Sequence, residues 1–287
     1  MENLITMQGK TALVTGAGAG MGRAIAETFG RLGARVVGAE IDKALADGVR
    51  SALADAKVDC LLEQVDVRDT AQVNALIGKI DQKYGRLDVL VNNVGHYLVR
   101  GLKRFDEFTE EEWDALYHIN LRHMFVVTRA ALPLMRKSGE GGSIINFSSI
   151  EGFRGYPNGS VYAAFKAAAA HFATSLALEL GPEHIRVNCI APETTDTDQV
   201  PLSKLMPPEN AELLPFFSTP LGRYGLPSDA AGCAVFLATD LSAWVTGTTI
   251  HMDGGALAAG GWYRMLDGRW INAPIIKESG LKQGRRR

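Results

Sequence analysis

A short apolar run, Thr11-Ala-Leu-Val-Thr15, passes directly into Thr15-Gly16-Ala17-Gly18-Ala19-Gly20-Met21-Gly22, and a helical pattern starts as the glycines end. This junction constrains the fold more than any other stretch of the chain. A strand that turns into a helix through glycines opens a βαβ unit. The glycines let the backbone come close to a pyrophosphate, and the helix N-terminus offers unpaired N–H groups and a favourable dipole. A glycine-rich stretch alone is weak evidence; its place between strand and helix gives it weight.

The alternation continues along the chain. Further strand candidates lie at residues 35–38, 61–65, 87–91, 143–147, 186–190 and 250–252. Helical patterns lie at residues 21–32, 69–84, 111–136, 159–181 and 228–238. Strand and helix in strict turn imply right-handed crossovers and a parallel sheet covered on both faces. The expectation is an α/β fold: one doubly wound domain of the Rossmann type over residues 1–255, with a seven-stranded parallel sheet. Residues 193–227 break the alternation, and a loop of that length is usually functional. Residues 256–287 form a C-terminal extension rich in aromatics and ending in Arg285-Arg286-Arg287.

Bulk properties exclude several classes. With 46% hydrophobic and 22% charged residues the chain reads as an ordinary globular protein. A net charge of −2 gives no electrostatic footprint for nucleic acid or an anionic membrane. Cys60, Cys189 and Cys233 are scattered, which argues against a disulfide framework and against a zinc site; no metal is expected. Cys60 and Cys189 read as core positions. No signal peptide opens the chain and no apolar run looks long enough to span a membrane, so a cytoplasmic protein is the simplest reading.

The chemistry concentrates at Ser149, Tyr162 and Lys166. Tyr162 and Lys166 are four apart and share a helix face. A phenol normally keeps its proton to a pH of about 10, and a nearby ammonium favours the phenolate. Such a tyrosine can exchange a proton near neutrality, and Ser149 can hold the oxygen that carries it. This equipment suits the interconversion of an alcohol and a ketone. A lone Tyr-x-x-x-Lys occurs by chance, so the rest of the chain must supply its context.

The second strand ends at Glu40, with Ile41 after it, and Ala19 fills the loop position where an arginine could bind a phosphate. A carboxylate there accepts hydrogen bonds from an adenosine ribose and repels a 2′-phosphate, which favours NAD over NADP. Asp42 is the alternative bearer of that role.

With these residues assembled, the chain resembles the short-chain dehydrogenase/reductase family over about residues 8–255. The family's Thr-Gly-x-x-x-Gly-x-Gly is Thr15 to Gly22, and its Asn-Asn-Ala-Gly is Asn92-Asn93-Val94-Gly95. Its helical Asn matches Asn120, and its Ser, Tyr and Lys match Ser149, Tyr162 and Lys166. The resemblance implies a dinucleotide held by Gly16, Gly18, Ala19, Gly20, Met21 and Gly22. It implies an adenine cradle at Asp66 and Val67, and a nicotinamide end at Asn93, Val94 and Gly95. Pro192, Thr195 and Thr197 would complete that end, with Thr197 at the carboxamide. Lys166 would bind the nicotinamide ribose and lower the Tyr162 pKa, Tyr162 would move the proton, Ser149 would orient the substrate oxygen, and Asn120 would hold a relay water. Glu193 stands where the family has Gly and Val94 where it has Ala, so the pocket at that end is expected to differ.

Residues around this centre suggest the substrate. His96 and Tyr97 follow the Asn-Asn-Val-Gly turn; Glu151, Phe153 and Tyr156 lie between Ser149 and Tyr162; Phe217 sits in the long loop. Aromatic walls point to an apolar cyclic or aryl-bearing secondary alcohol or its ketone. A 3-oxoacyl-thioester reductase is the enzymatic alternative. A dinucleotide sensor without chemistry is the alternative of another class, against which Tyr162 and Lys166 both stand. The resemblance implies a homotetramer or homodimer, and the extension is expected to pack on a neighbouring subunit.

Overall fold

The computed structural model describes residues 2–97, 103–202, 218–264 and 268–271. After a helical turn α1 (Glu2–Ile5), the strands are β1 (Thr11–Thr15), β2 (Arg35–Glu40), β3 (Cys60–Gln64) and β4 (Val89–Asn92). β5 (Gly142–Phe147), β6 (Ile185–Pro192) and β7 (Thr249–Met252) follow. All seven pair in parallel in the order β3-β2-β1-β4-β5-β6-β7. The chain therefore reverses direction across the sheet between β1 and β4. In a doubly wound sheet that switch point opens a crevice at the C-terminal strand ends.

Two helical layers close the sheet. Helices α2 (Gly20–Arg31) and α3 (Lys43–Asp55) cover one face, joined by α8 (Pro227–Ala238). On the other lie α4 (Thr70–Tyr84), α6 (His123–Lys137) and α7 (Ser160–Leu180). The strands between them are buried on both sides; β1 reads as five buried residues in a row, as a central parallel strand must. Cys189 is part of this core at 0% exposure, and Cys60 packs at its edge.

The sequence reading missed α3. Its signals are present: Asp42 caps it, accepting the Ala44 and Leu45 N–H groups, and Ala46, Val49 and Leu53 form its buried stripe. The helical pattern at 111–136 is also not one α-helix. It divides into α5 (Glu110–Tyr117), a wide π turn at His118–Arg122, and α6. Such turns mark functional positions more often than ordinary helix does, and this one holds Asn120.

One expectation is overturned on length alone. Residues Ser160–Glu183 are long and apolar enough to cross a membrane. In this fold the helix instead lays Ala169, Ala173, Leu176 and Leu180 on the sheet and buries Lys166. Beyond Gly255, a short helix α9 (Ala256–Ala259) leads to a small antiparallel pair, β8 (Tyr263–Arg264) with β9 (Trp270–Ile271). Arg285, Arg286 and Arg287 lie outside the described residues.

Candidate active site

The switch-point crevice is bordered on one side by the turn after β1. Gly16 and Gly20 adopt left-handed backbone, with φ of 64° and 53°. At Gly22 an added Cβ would lie 2.0 Å from the Gly16 carbonyl oxygen and 2.6 Å from Asn93 Nδ2. No side chain fits there, so turn and helix close directly on each other. Asn93 ties this turn to β4: its Nδ2 donates to the Thr15 carbonyl at 3.0 Å, and its backbone N–H donates to Thr15 Oγ1 at 3.0 Å. Ala19 is the N-cap residue of α2, followed by Gly20 and Met21. The result is an exposed helix N-terminus above a backbone cradle, which suits a pyrophosphate.

Glu40 ends β2 against this cradle and is 8% exposed. Its Oε2 accepts the Gly18 N–H at 2.9 Å and its Oε1 accepts the Asp42 N–H at 3.1 Å. Asp42 is spent on capping α3, so Glu40 is the carboxylate that faces the loop. Val67 is buried, and Asp66 forms a fork with Arg68 that holds its carboxyl below the usual range.

The other end of the crevice is a cavity of about 260 Å³ whose floor is Ser149, Tyr162 and Lys166. β5 delivers Ser149 and α7 delivers the other two. Ser149 caps the turn at Ile150–Gly152 by accepting the Glu151 N–H at 3.2 Å. Its hydroxyl also donates to the Pro192 carbonyl at 3.5 Å. Burial pushes the Tyr162 phenol pKa up and outweighs the downward influence of Ser149. Lys166 is 3% exposed and donates from Nζ to the Phe147 carbonyl at 3.1 Å. Burial lowers its ammonium to about 8. Lys166 Nζ lies 5.6 Å from the centre of the Tyr162 ring. The expectation that Lys166 lowers the Tyr162 pKa is therefore not met by these residues alone: both groups sit where protein has replaced water, and each is driven toward its neutral form.

Asn120 lies behind this floor at 0% exposure. Its Oδ1 accepts the His96 N–H at 3.0 Å, and its Nδ2 donates to the His96 carbonyl at 2.7 Å and the Leu116 carbonyl at 3.0 Å. It thus clamps the chain after β4. Gly95 has no room for a side chain, since a Cβ would sit 2.6 Å from Lys166 Nζ.

Most of the expected residues converge on this cavity. Asn93, Gly95, Met21, Pro192, Thr195 and Thr197 line it. Thr197 also packs its side chain toward Gly20, joining the two ends of the crevice. Val94 packs against the core. Among the expected substrate residues, His96, Tyr97, Glu151 and Tyr156 line the cavity. His96 stacks on Tyr97 at 5.2 Å, and burial lowers its pKa below the ordinary value. Phe153 does not line it: its ring turns outward and packs edge-on to His251 at 4.6 Å. The residue follows the short turn after Ser149, and that turn directs it toward β7. Phe217 lies outside the described residues.

Two participants were not anticipated. Gln199 lines the cavity and donates to the Gly95 carbonyl at 3.3 Å. His123 is fully buried one turn after Asn120, and among the described residues neither ring nitrogen has a partner at full hydrogen-bond geometry, although the Val94 and Ile119 backbones lie beside it. Burial and the Lys166 charge push its pKa down to about 3, so it is a neutral imidazole. Its spacing from Asn120 on the same helical surface was the available signal.

The family model described as enoyl-(acyl carrier protein) reductase matches residues 16–256. A 3-oxoacyl-[acyl-carrier-protein] reductase of Thermotoga maritima is 40% identical over 251 residues, covering 87% of this chain and 98% of the relative. A 7α-hydroxysteroid dehydrogenase solved with NADH and 7-oxo glycochenodeoxycholic acid superposes with a TM-score of 0.81 at 33% identity, covering 88% of this chain and 96% of the other. A carveol dehydrogenase of Mycobacterium avium solved with NAD superposes with a TM-score of 0.82 at 26% identity, covering 88% of this chain and 99% of that one. A parallel sheet with its crevice at the β1–β4 switch, a glycine cradle and the Ser-Tyr-Lys floor agree with these matches, and the chain belongs to the short-chain dehydrogenase/reductase family of oxidoreductases.

Proposed function

We propose that this protein is an NAD-dependent dehydrogenase that interconverts a secondary alcohol and a ketone on an apolar cyclic or aryl-bearing substrate. The observation that carries the reading is the cavity floor, where Ser149, Tyr162 and the buried Lys166 line one cavity. A bound nicotinamide supplies the hydride acceptor or donor. The residues present fit such a cofactor: Gly18 and Gly22 leave no room for a side chain in the turn, and Glu40 stands beside Gly18.

Ser149 orients the substrate oxygen and Tyr162 exchanges its proton. Lys166, held by the Phe147 carbonyl with its ammonium 5.6 Å from the centre of the Tyr162 ring, would hold the nicotinamide ribose of a bound cofactor. Asn120 spends its side chain on His96, so any relay water it holds is bound through its main chain. Thr195 and Thr197, which line the cavity, would hold the nicotinamide end, and Asp66 with Val67 would border the adenine. Glu40 would repel a 2′-phosphate, which is the basis for NAD. Aromatic Tyr97 and Tyr156 form the substrate walls. The solved relatives with NAD or NADH support both choices. We further propose a homotetramer or homodimer in the cytoplasm; of the extension expected to pack on a neighbouring subunit, residues 265–267 and 272–287 lie outside the described residues.

The 40% identical relative favours a second reading, reduction of 3-oxoacyl thioesters. Absorbance at the reduced-nicotinamide band separates the two. Secondary alcohols are offered with NAD and with NADP, and ketones and 3-oxoacyl thioesters with each reduced form. Turnover of ring alcohols with NAD supports the first reading. Turnover confined to thioesters, or a preference for the phosphorylated cofactor, replaces it.

A further inference from the structure

The wall of the substrate cavity contains an ion cluster that the reaction itself does not need. Glu151 comes from the turn after Ser149 and Glu193 from the end of β6. Their side chains are only 13% and 14% exposed, and both line the cavity. Arg154 joins them. Its Nη2 donates to Glu151 Oε1 at 2.7 Å and to Glu193 Oε2 at 2.8 Å, and its Nε donates to Glu151 Oε2 at 3.2 Å. The second Glu193 oxygen accepts the Thr194 N–H at 2.7 Å and the Thr194 hydroxyl at 2.9 Å.

The charges do not balance. Two shielded carboxylates share one guanidinium, and that guanidinium reaches solvent at 37% side-chain exposure. Its attraction is screened from outside while the carboxylates face inward. Arg154 stands behind the wall, and the Lys or Arg among the described lining residues is Lys166, which is buried beneath the reacting centre. His96 adds no charge at neutral pH, because burial holds its pKa down. Among the described residues, an anionic group entering beside Ser149 thus meets the two carboxylates of the wall, and their guanidinium, Arg154, is already bonded to both.

We propose that Glu193, Arg154 and Glu151 form a charge filter that admits substrates uncharged or cationic near the reacting carbon and rejects carboxylates and phosphates there. Glu193 is its specificity-determining residue. The inference rests on the alcohol dehydrogenase reading above and names the substrate class within it. The filter also has a mechanical side. It ties the turn bearing Ser149 to the end of β6, so the wall is held in place by ions that come from remote parts of the chain.

The test uses three matched ring alcohols: 3-hydroxycyclohexanecarboxamide, the corresponding carboxylate, and 3-(aminomethyl)cyclohexanol. Specificity constants are measured with NAD for the wild type, Glu193→Gln and Arg154→Met, at low and high salt. NADH binding, followed by fluorescence, confirms that each variant is folded. The wild type should prefer the amide over the carboxylate by about tenfold or more, with the difference in KM. Glu193→Gln should shrink that ratio by about tenfold, and Arg154→Met should widen it, since it leaves the two carboxylates uncompensated. High salt should compress all three ratios. Equal amide-to-carboxylate ratios in the three proteins overturn the filter and leave the alcohol reading standing. Failure of the wild type to oxidise any of the neutral or cationic alcohols, with NADH binding intact, removes both.

Discussion

The two ends of the crevice are built from different materials. The cofactor end is mostly backbone: a tight glycine turn, a helix terminus, and one carboxylate, Glu40, bonded to the Gly18 N–H. The substrate end is mostly side chain: Tyr97, Tyr156, and the Glu151–Arg154–Glu193 cluster, gathered from segments far apart in sequence. Backbone surfaces are fixed by steric rules that few residues can satisfy. Side-chain surfaces can be rebuilt by single substitutions. A constant backbone end with a variable side-chain end follows from this difference, and it accords with relatives that include a 3-oxoacyl-[acyl-carrier-protein] reductase and a hydroxysteroid dehydrogenase.

The largest separation of the two ends should come from Tyr162→Phe. Removing the phenol hydroxyl should lower kcat by about 10²–10⁴-fold, the range for a general acid–base group. NADH affinity by fluorescence titration should stay within about twofold, because the cradle is untouched. Near-normal turnover would sink the assignment of Tyr162.

Lys166 joins the two ends, and its burial has a thermodynamic signature. A lysine in the unfolded chain titrates near 10.4, whereas the native ammonium titrates at about 8. Between these values the unfolded chain binds a proton that the native one does not, so stability rises with pH there. Below pH 8 both states are charged and the burial cost is carried in full. Relative to Lys166→Met, the wild-type unfolding free energy should climb by about 3 kcal/mol between pH 7.5 and 10.5. Urea titrations at several pH values measure this, and a flat difference would mean an ordinary lysine.

At the cofactor end, Glu40→Ser should shift the NADP-to-NAD ratio of kcat/KM upward by about tenfold, as a carboxylate no longer opposes a 2′-phosphate. An unchanged ratio would transfer the discrimination elsewhere. The smallest effect belongs to Asp42→Ala. It should cost about 1 kcal/mol of stability through loss of the α3 cap and leave cofactor preference where it was. A changed preference would mean that Asp42, not Glu40, reads the ribose.

The sequence by itself determined the layered fold and the convergence of Ser149, Tyr162 and Lys166 on one cavity floor. Each strand reads as a short apolar run, and in the structure each begins within two residues of its expected place. Gly22 and the Tyr162–Lys166 pair speak through local geometry, a close approach and a one-turn spacing, and local geometry is written in consecutive residues. Helix α3 was missed although Asp42 marks its start, because its apolar stripe is thin and Gly48 interrupts it.

Tertiary structure decided the rest. Phe153 looked like a pocket wall and turned to His251, because the turn after Ser149 sets its direction. Glu193 looked like a departure from a family pattern and became half of an ion cluster, because β6 ends opposite the Ser149 turn. The Tyr162 and Lys166 pKa values follow burial more than their mutual charge. Desolvation depends on everything packed around a group, and that surrounding is assembled only when distant segments meet.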